Sequence, residues 1–321
     1  MLRLFENARF DFLRARKGSL SVVGAFMLIG LAFFALRGIP ESIEFTGGTL
    51  VQVEASSAAM TTASIRSALG GAGISGAEIT TFGSPSDFLI KARVGAENAA
   101  LTTQETAAAV EQALTEAFGA GSYEMSRGEA VSAKVGSELR TKALLAILMS
   151  FGATLIYLWF RFEWRFGVAA ILATLHDIVA TVAFLAIMHL ELTLVVVAAV
   201  LTIVGYSLND TIIVFDRVRE NLHKFKRQNI YEILNRSINE TLPRTAMTSA
   251  TTIAATLALL ILGGEVIRGF AWVMTFGIVV GTFSSIYIAS PVLLYIEQKW
   301  PGEDVRGART LVADPRTTEA G

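Results

Sequence analysis

Six apolar runs interrupt the chain, each long enough to cross about 30 Å of hydrocarbon. They lie near Leu20 to Leu36, Ala143 to Phe160, Gly167 to Met188, Leu192 to Phe215, Ala246 to Leu262 and Phe270 to Ile296. They predict an α-helical polytopic membrane protein with six transmembrane helices. Between the first two runs the pattern changes to short alternating segments rich in Ala, Gly and Thr. Phe45 to Glu54 reads as a strand, and TTASIRSALGGAG as a short helix capped by Thr61 or Thr62 and stopped by Gly70 and Gly71. AEITTF and FLIKARV alternate as two strands around a turn at Gly83 to Asp87. TTQETAAAVEQALTEAFG reads as a helix with Thr102 and Glu105 spaced as a capping box and Gly119 at its end, and Tyr123 to Val131 as a last strand. The order βαββαβ predicts an α+β ferredoxin-like domain between helices one and two.

The expected layout is an N-terminus at 1–19, a first helix at 20–36, the α+β domain at 37–140, and a five-helix bundle at 141–296 with a loop at 216–243. A tail expected to be disordered follows at 297–321. A cleaved signal peptide is the competing reading of the first run. The long basic stretch before it and the lack of a small-x-small site before Arg37 favour a retained anchor.

Composition agrees with a membrane class: of 321 residues 53% are hydrophobic and only 17% charged, against about 25% charged in soluble domains. The net charge of −1 gives no sign of a nucleic-acid partner. Without cysteine there are no disulfides, thiolate metal sites or cysteine nucleophiles, and three histidines leave little room for a metal centre. No cofactor or catalytic set emerges. Lys91 and Arg93 share one strand face, read as solvated.

Lys and Arg in the flanks set the direction of the spans. Arg3, Arg9, Arg14, Arg16 and Lys17 precede the first run, Arg161 and Arg165 lie between the second and third, and Arg217, Arg219, Lys224, Lys226, Arg227 and Arg236 between the fourth and fifth. These segments and both termini are expected to be cytoplasmic. The turns His189 to Leu192 and Gly263 to Gly269, and the α+β domain, then fall outside.

Ionisable residues inside the runs are the candidate chemistry, because a central carboxylate costs roughly 2.5 to 3.5 kcal/mol on insertion scales. His176 and Asp177 sit near mid-bilayer in the third run, roughly 16 Å in at 1.5 Å per residue. Two readings stand: proton handling, or a structural hydrogen-bonded pair. Asn209 and Asp210 interrupt the fourth run within VGYSLNDTIIVFDR. Counting about 19 residues from the outer turns at Glu191 and Gly263 places Asp210 and Arg244 at similar depth, roughly 28 Å in.

Pro243 suits a helix's first turn, which would set Arg244 at the positive end of the helix dipole, where a facing carboxylate would offset it. Pairing and desolvation act in opposite senses on a carboxylate, so a small movement of Arg244 would change whether Asp210 holds a proton. The alternative is that Arg244 snorkels to the headgroups and Asp210 belongs to the membrane exit. Asp216, Arg217, Arg219 and Glu220 read as a solvated helix end, and GIVVGTFSSIYIASP as a close-packing face.

IEFTGGTLVQV, HD in the third run, VGYSLNDTIIVFDRVREN, LNRSINETLPRTAMTSATT and GIVVGTFSSIYIASPVLL occur in this order. Together, over nearly the whole chain, they resemble the SecF family of protein-export membrane subunits, with a fold similar to the resistance-nodulation-division transporters. The resemblance implies a non-enzymatic subunit of the bacterial inner membrane with a periplasmic domain. Its implied partners are SecD, the SecYEG channel, a translocating unfolded preprotein, protons and the lipid bilayer. It also implies that Asp210 and Arg244 serve proton passage; Asp177, His176, Asn209 and Ser207 stand beside them as candidates for an accessory proton relay or a structural role. Glu44 stands where the family commonly has aspartate, and Pro243 precedes the arginine, which puts the local helix geometry in doubt. Two other functions fit the membrane pattern: half of a proton-coupled exporter of a small hydrophobic or lipidic solute, and a non-transporting scaffold.

Overall fold

The structure, a computed structural model, describes residues 9–56, 60–74, 77–92 and 103–302. The expected Thr102 cap, Arg93 and most of the tail lie outside the described residues.

Among the described residues, six helical segments are long and apolar enough to cross a membrane. The first, α1 (Arg16–Arg37), follows a 3-10 turn at Phe12–Ala15. After a bend at Gly38 comes one turn of helix, α2 (Ile43–Thr46), so Phe45 and Thr46 do not join the strand the sequence predicted. Gly47 at φ 75° and Gly48 at φ 145° reverse the chain there, conformations that side chains with a Cβ resist, and β1 (Gly48–Ala55) begins after the reversal.

The rest of the small domain follows as α3 (Thr62–Gly71), β2 (Glu78–Phe82), β3 (Ser84–Ala92), α4 (Thr103–Phe118) and β4 (Tyr123–Val131). Thr61 is the cap of α3, in a reciprocal capping box with Ser64. The β2–β3 turn is tighter than expected: Gly83 alone, at φ 77°, reverses the chain, and Ser84 to Asp87 already belong to β3. The antiparallel sheet has the order β2-β3-β1-β4. Val51, Val53, Ile79, Phe88 and Ile90 bury one face against Ile65, Leu69, Val110 and Leu114 of the two helices.

The bundle consists of α5 (Ala133–Arg161), α6 (Trp164–Met188), α7 (Leu194–Lys224), α8 (Ile230–Leu262) and a sixth segment. That last segment is α9 (Gly264–Ser284), a π turn at Ser285–Ala289 and α10 (Ser290–Lys299). Helices α6, α7 and the α9–α10 segment are more than half buried, whereas α1, α5 and α8 lie at the periphery.

Several expected boundaries move. Helix α5 starts directly after β4, capped by Ser132, so residues 133–140, expected within the α+β domain, belong to the second membrane helix. The loop expected at 216–243 shrinks to the residues between Lys224 and Ile230, because α7 and α8 continue past the apolar runs as a hairpin. Pro243 therefore sits inside α8 and not in a first turn.

Contacts across the hairpin explain its length. Arg217 bonds Glu240 at 2.6 Å, Asn221 donates to Ser237 at 3.0 Å and to Glu240 at 2.8 Å, and Arg161 of α5 pairs with Asp216 at 2.5 Å. The charges near Asp216 are thus cross-helix contacts, in addition to the i,i+3 pair of Arg217 with Glu220. The α8–α9 turn is also shorter than the expected Gly263 to Gly269, since α9 begins at Gly264. At the other end α10 runs to Lys299, inside the expected tail, because buried Glu297 accepts from Arg165 at 2.8 Å and from the Gly302 N–H at 2.9 Å.

The N-terminal segment lies on the α7–α8 hairpin, at the end of the bundle away from the sheet. Asn239 exchanges two hydrogen bonds with the Phe10 backbone, at 2.9 and 2.8 Å, and Asn235 and Tyr231 both donate to Asp11, at 2.9 and 2.6 Å. Together these bonds hold the segment to α8.

Candidate functional site: polar groups buried among the membrane helices

Helix α7 packs against α6, α8 and α9 along a face of small residues. A Cβ on Gly281 would stand 2.8 Å from the Ser207 Cβ, and one on Gly277 would collide with Ile203. This close approach brings short polar side chains of three helices together.

Asp177 of α6 is 1% exposed and fully engaged. Its Oδ1 faces His176 Nδ1 at 2.8 Å, and its Oδ2 accepts from Ser284 Oγ at 2.8 Å and from Ser207 Oγ. Ser207 is among the accessory or structural candidates of the sequence, whereas Ser284 falls in GIVVGTFSSIYIASP, which reads as a packing face. The signal was present in the spacing: Gly277, Gly281 and Ser284 fall at i, i+4 and i+7, so Ser284 faces the neighbours that the glycines admit.

Asp210 of α7 is equally buried, at 1% exposed, but its Oδ2 has no hydrogen-bond partner among the described residues. The polar groups acting on it are the Thr282 hydroxyl and the Arg244 guanidinium. Thr282 in turn shares a 2.6 Å hydrogen bond with Ser249 of α8, and Thr245 Oγ1 nearby in α8 is a second buried atom without a partner.

Asp210 and Arg244 are not in contact: among the described residues no ion pair within 4.0 Å joins them. The reason is helical phase. Ser237, Ile238, Thr241, Thr245 and Ser249 form the buried face of α8, so Thr245 takes the inward position at that turn. Arg244, about 100° round the helix, is exposed. Asn209 is likewise exposed, one position round α7 from Asp210. The structure thus joins Asp177, His176 and Ser207 in one hydrogen-bonded group, leaves Asp210 beside it on α7, and separates Arg244 and Asn209 from both.

On the α+β domain, Lys91 does not lie on a solvated face. Its Nζ pairs with Glu191 in the turn between α6 and α7.

The chain matches the family model for the C-terminal part of the SecD/SecF protein-export membrane proteins over residues 109–299, and the SecD/SecF GG motif over residues 32–59. It is 52% identical over 330 residues to a protein translocase subunit SecF of Gemmatimonas aurantiaca, covering 99% of this chain and 96% of the relative. A SecF of Magnetococcus marinus is 43% identical over 300 residues, covering 92% and 95%. Among solved structures it is similar to SecDF of Thermus thermophilus, described as a translocon-associated membrane protein, with 35% identity and a TM-score of 0.80. That match covers 93% of this chain but 40% of the SecDF chain. A second SecDF structure, in a super-membrane-facing form, matches with a TM-score of 0.66 over 96% of this chain.

Proposed function

The chain belongs to the SecD/SecF protein-export membrane family, and on that premise we propose that it is the subunit that, with SecD, couples inward proton flow to movement of a periplasmic domain. That movement promotes passage of unfolded preproteins through the SecYEG channel. In this reading both termini and the α7–α8 hairpin face the cytoplasm, as the basic flanks require. The βαββαβ domain, in ferredoxin-like order, stands in the periplasm and performs no catalysis.

The observation that carries the proposal is the contrast between the two buried aspartates. Asp177 has a partner for each oxygen and acts as a structural node, with His176 and Ser207 serving it. Asp210 has a buried oxygen with none. A buried carboxylate oxygen left unpaired is costly, and it is the position in the bundle open to a proton.

Exposed Arg244 acts on Asp210 from a distance, so protonating Asp210 changes the force between α7 and α8. Moving one charge through 100 mV supplies about 2.3 kcal/mol, enough to shift a two-state equilibrium by tens-fold.

The test is proton conductance and gradient-dependent export by the purified complex reconstituted with the channel and a translocating chain. Asp210→Asn is expected to lose both. Unchanged export would sink the relay, and solute flux in the absence of any translocase would favour an exporter instead.

A further inference from the structure

Among the described residues the small domain is fastened to the bundle at the turn between α6 and α7 and, beside it, against α5. Glu44 Oε2 accepts the Leu194 N–H at 2.6 Å, filling one of the donors that the first turn of α7 leaves open. Ser42, itself buried, donates its N–H to the Leu192 carbonyl at 3.0 Å, and Leu192 donates to the Pro40 carbonyl at 2.7 Å, so the two segments pair like parallel strands. On the other side of the turn Lys91 of β3 pairs with Glu191. Arg140 of α5 holds Glu41 at 3.1 Å, and α5 presses its Gly136 against the backbone of Phe45 and Gly47.

We propose that Glu44 is a positioning residue that makes α7 the lever of the small domain. The proposal rests on the proton-coupled reading above and names the path of the movement. Asp210 lies about four and a half turns along α7, roughly 24 Å from Leu194, on one uninterrupted helix. Displacement of that helix is delivered at its first turn, where the Glu44 carboxylate grips it by a charge-assisted bond. From Glu44 the chain runs through α2 and the Gly47–Gly48 reversal directly into β1, an inner strand paired on both sides. The Lys91–Glu191 pair carries the same displacement to β3, the strand beside it. By contrast, α1 and α5, the covalent routes to the domain, lie at the edge of the bundle and carry no buried carboxylate.

The experiment compares proton conductance with gradient-dependent export in the reconstituted complex. Glu44→Ala is expected to lower export about tenfold or more, the loss that a charged hydrogen bond implies, while proton conductance persists. Glu44→Gln, which keeps an acceptor oxygen, is expected to retain most export. Lys91→Glu is expected to impair export and the exchange Lys91→Glu with Glu191→Lys to restore it, which decides the matter if Glu44→Ala does not accumulate.

Normal export by Glu44→Ala overturns the lever. So does loss of proton conductance together with export in an assembled complex, since Glu44 would then act on the proton site itself. Failure of the charge exchange to recover export overturns it as well. Normal conductance and export by Asp210→Asn in the same assay would instead count against the proton reading, so the two failures are distinguishable.

Discussion

Ser284 donates its hydroxyl to Oδ2 of Asp177 at 2.8 Å, joining the third and sixth membrane segments across 107 residues of sequence. With Ser207 it ties α6, α7 and α9 at one buried point. Asp177→Asn, which keeps an acceptor oxygen, is expected to leave gradient-dependent export in place. Asp177→Leu strands the buried Ser207 hydroxyl at about 1 to 3 kcal/mol, while Ser284 falls back on the Gly281 carbonyl at 3.1 Å. Thermal unfolding in detergent should therefore fall for Leu and little for Asn. Loss of proton conductance by Asp177→Asn at an unchanged unfolding temperature would transfer Asp177 to the relay.

Arg244 is exposed, so removing it is expected to change the stability of the chain by less than about 0.5 kcal/mol. Its effect on Asp210 is electrostatic and needs only the charge. Arg244→Lys should keep gradient-dependent export and Arg244→Ala should lose it. Equal export by the two variants would remove Arg244 from the mechanism.

Gly281 lets α9 approach α7, and any Cβ there meets the Ser207 Cβ at 2.8 Å and its Cα at 3.2 Å. Gly281→Val is expected to destabilise the bundle by about 1 to 3 kcal/mol, the usual cost of overpacking. Gly205, on the same helix as Ser207, has open space at its Cβ position. Gly205→Ala should leave the unfolding temperature of the isolated chain unchanged or slightly raised. If both variants melted alike, the close approach would have no energetic weight.

Asp11 fastens the N-terminal segment to α8, and the Tyr231 hydroxyl bond is the main cause that holds its carboxyl below the ordinary value of 3.8. A depressed folded value means that docking is favoured above the ordinary value and is lost as the pH falls through the folded one. Amide exchange at Phe10 and Leu13 should accordingly stay slow from neutral pH to about pH 4 and rise below it. Asn235→Ala and Tyr231→Phe should each narrow that pH range of protection. Protection independent of Asp11 in Asp11→Asn would refute the coupling.

Six spans and a βαββαβ segment were legible in the chain because apolar length and alternation are local properties that hydrocarbon and a half-buried sheet both enforce. The breaks at Gly83 and Gly119 were legible for a similar reason: both adopt positive φ, which the backbone permits glycine at no steric cost. Tertiary structure decided what sequence counting left open. Residue counts gave Asp210 and Arg244 similar depth, but helix phase, set by which face of α8 packs inward at Thr245, turned Arg244 outward. Pro243 suggested a helix start, but contacts between Asn221, Ser237 and Glu240 carry α8 through it. Lys91 read as solvated and Glu44 as a variant of the motif's aspartate until the fold set them against Glu191 and Leu194, partners at least a hundred positions away. Depth in a membrane follows from length along one helix, whereas contact depends on rotation and on distant neighbours, which only the packed chain fixes.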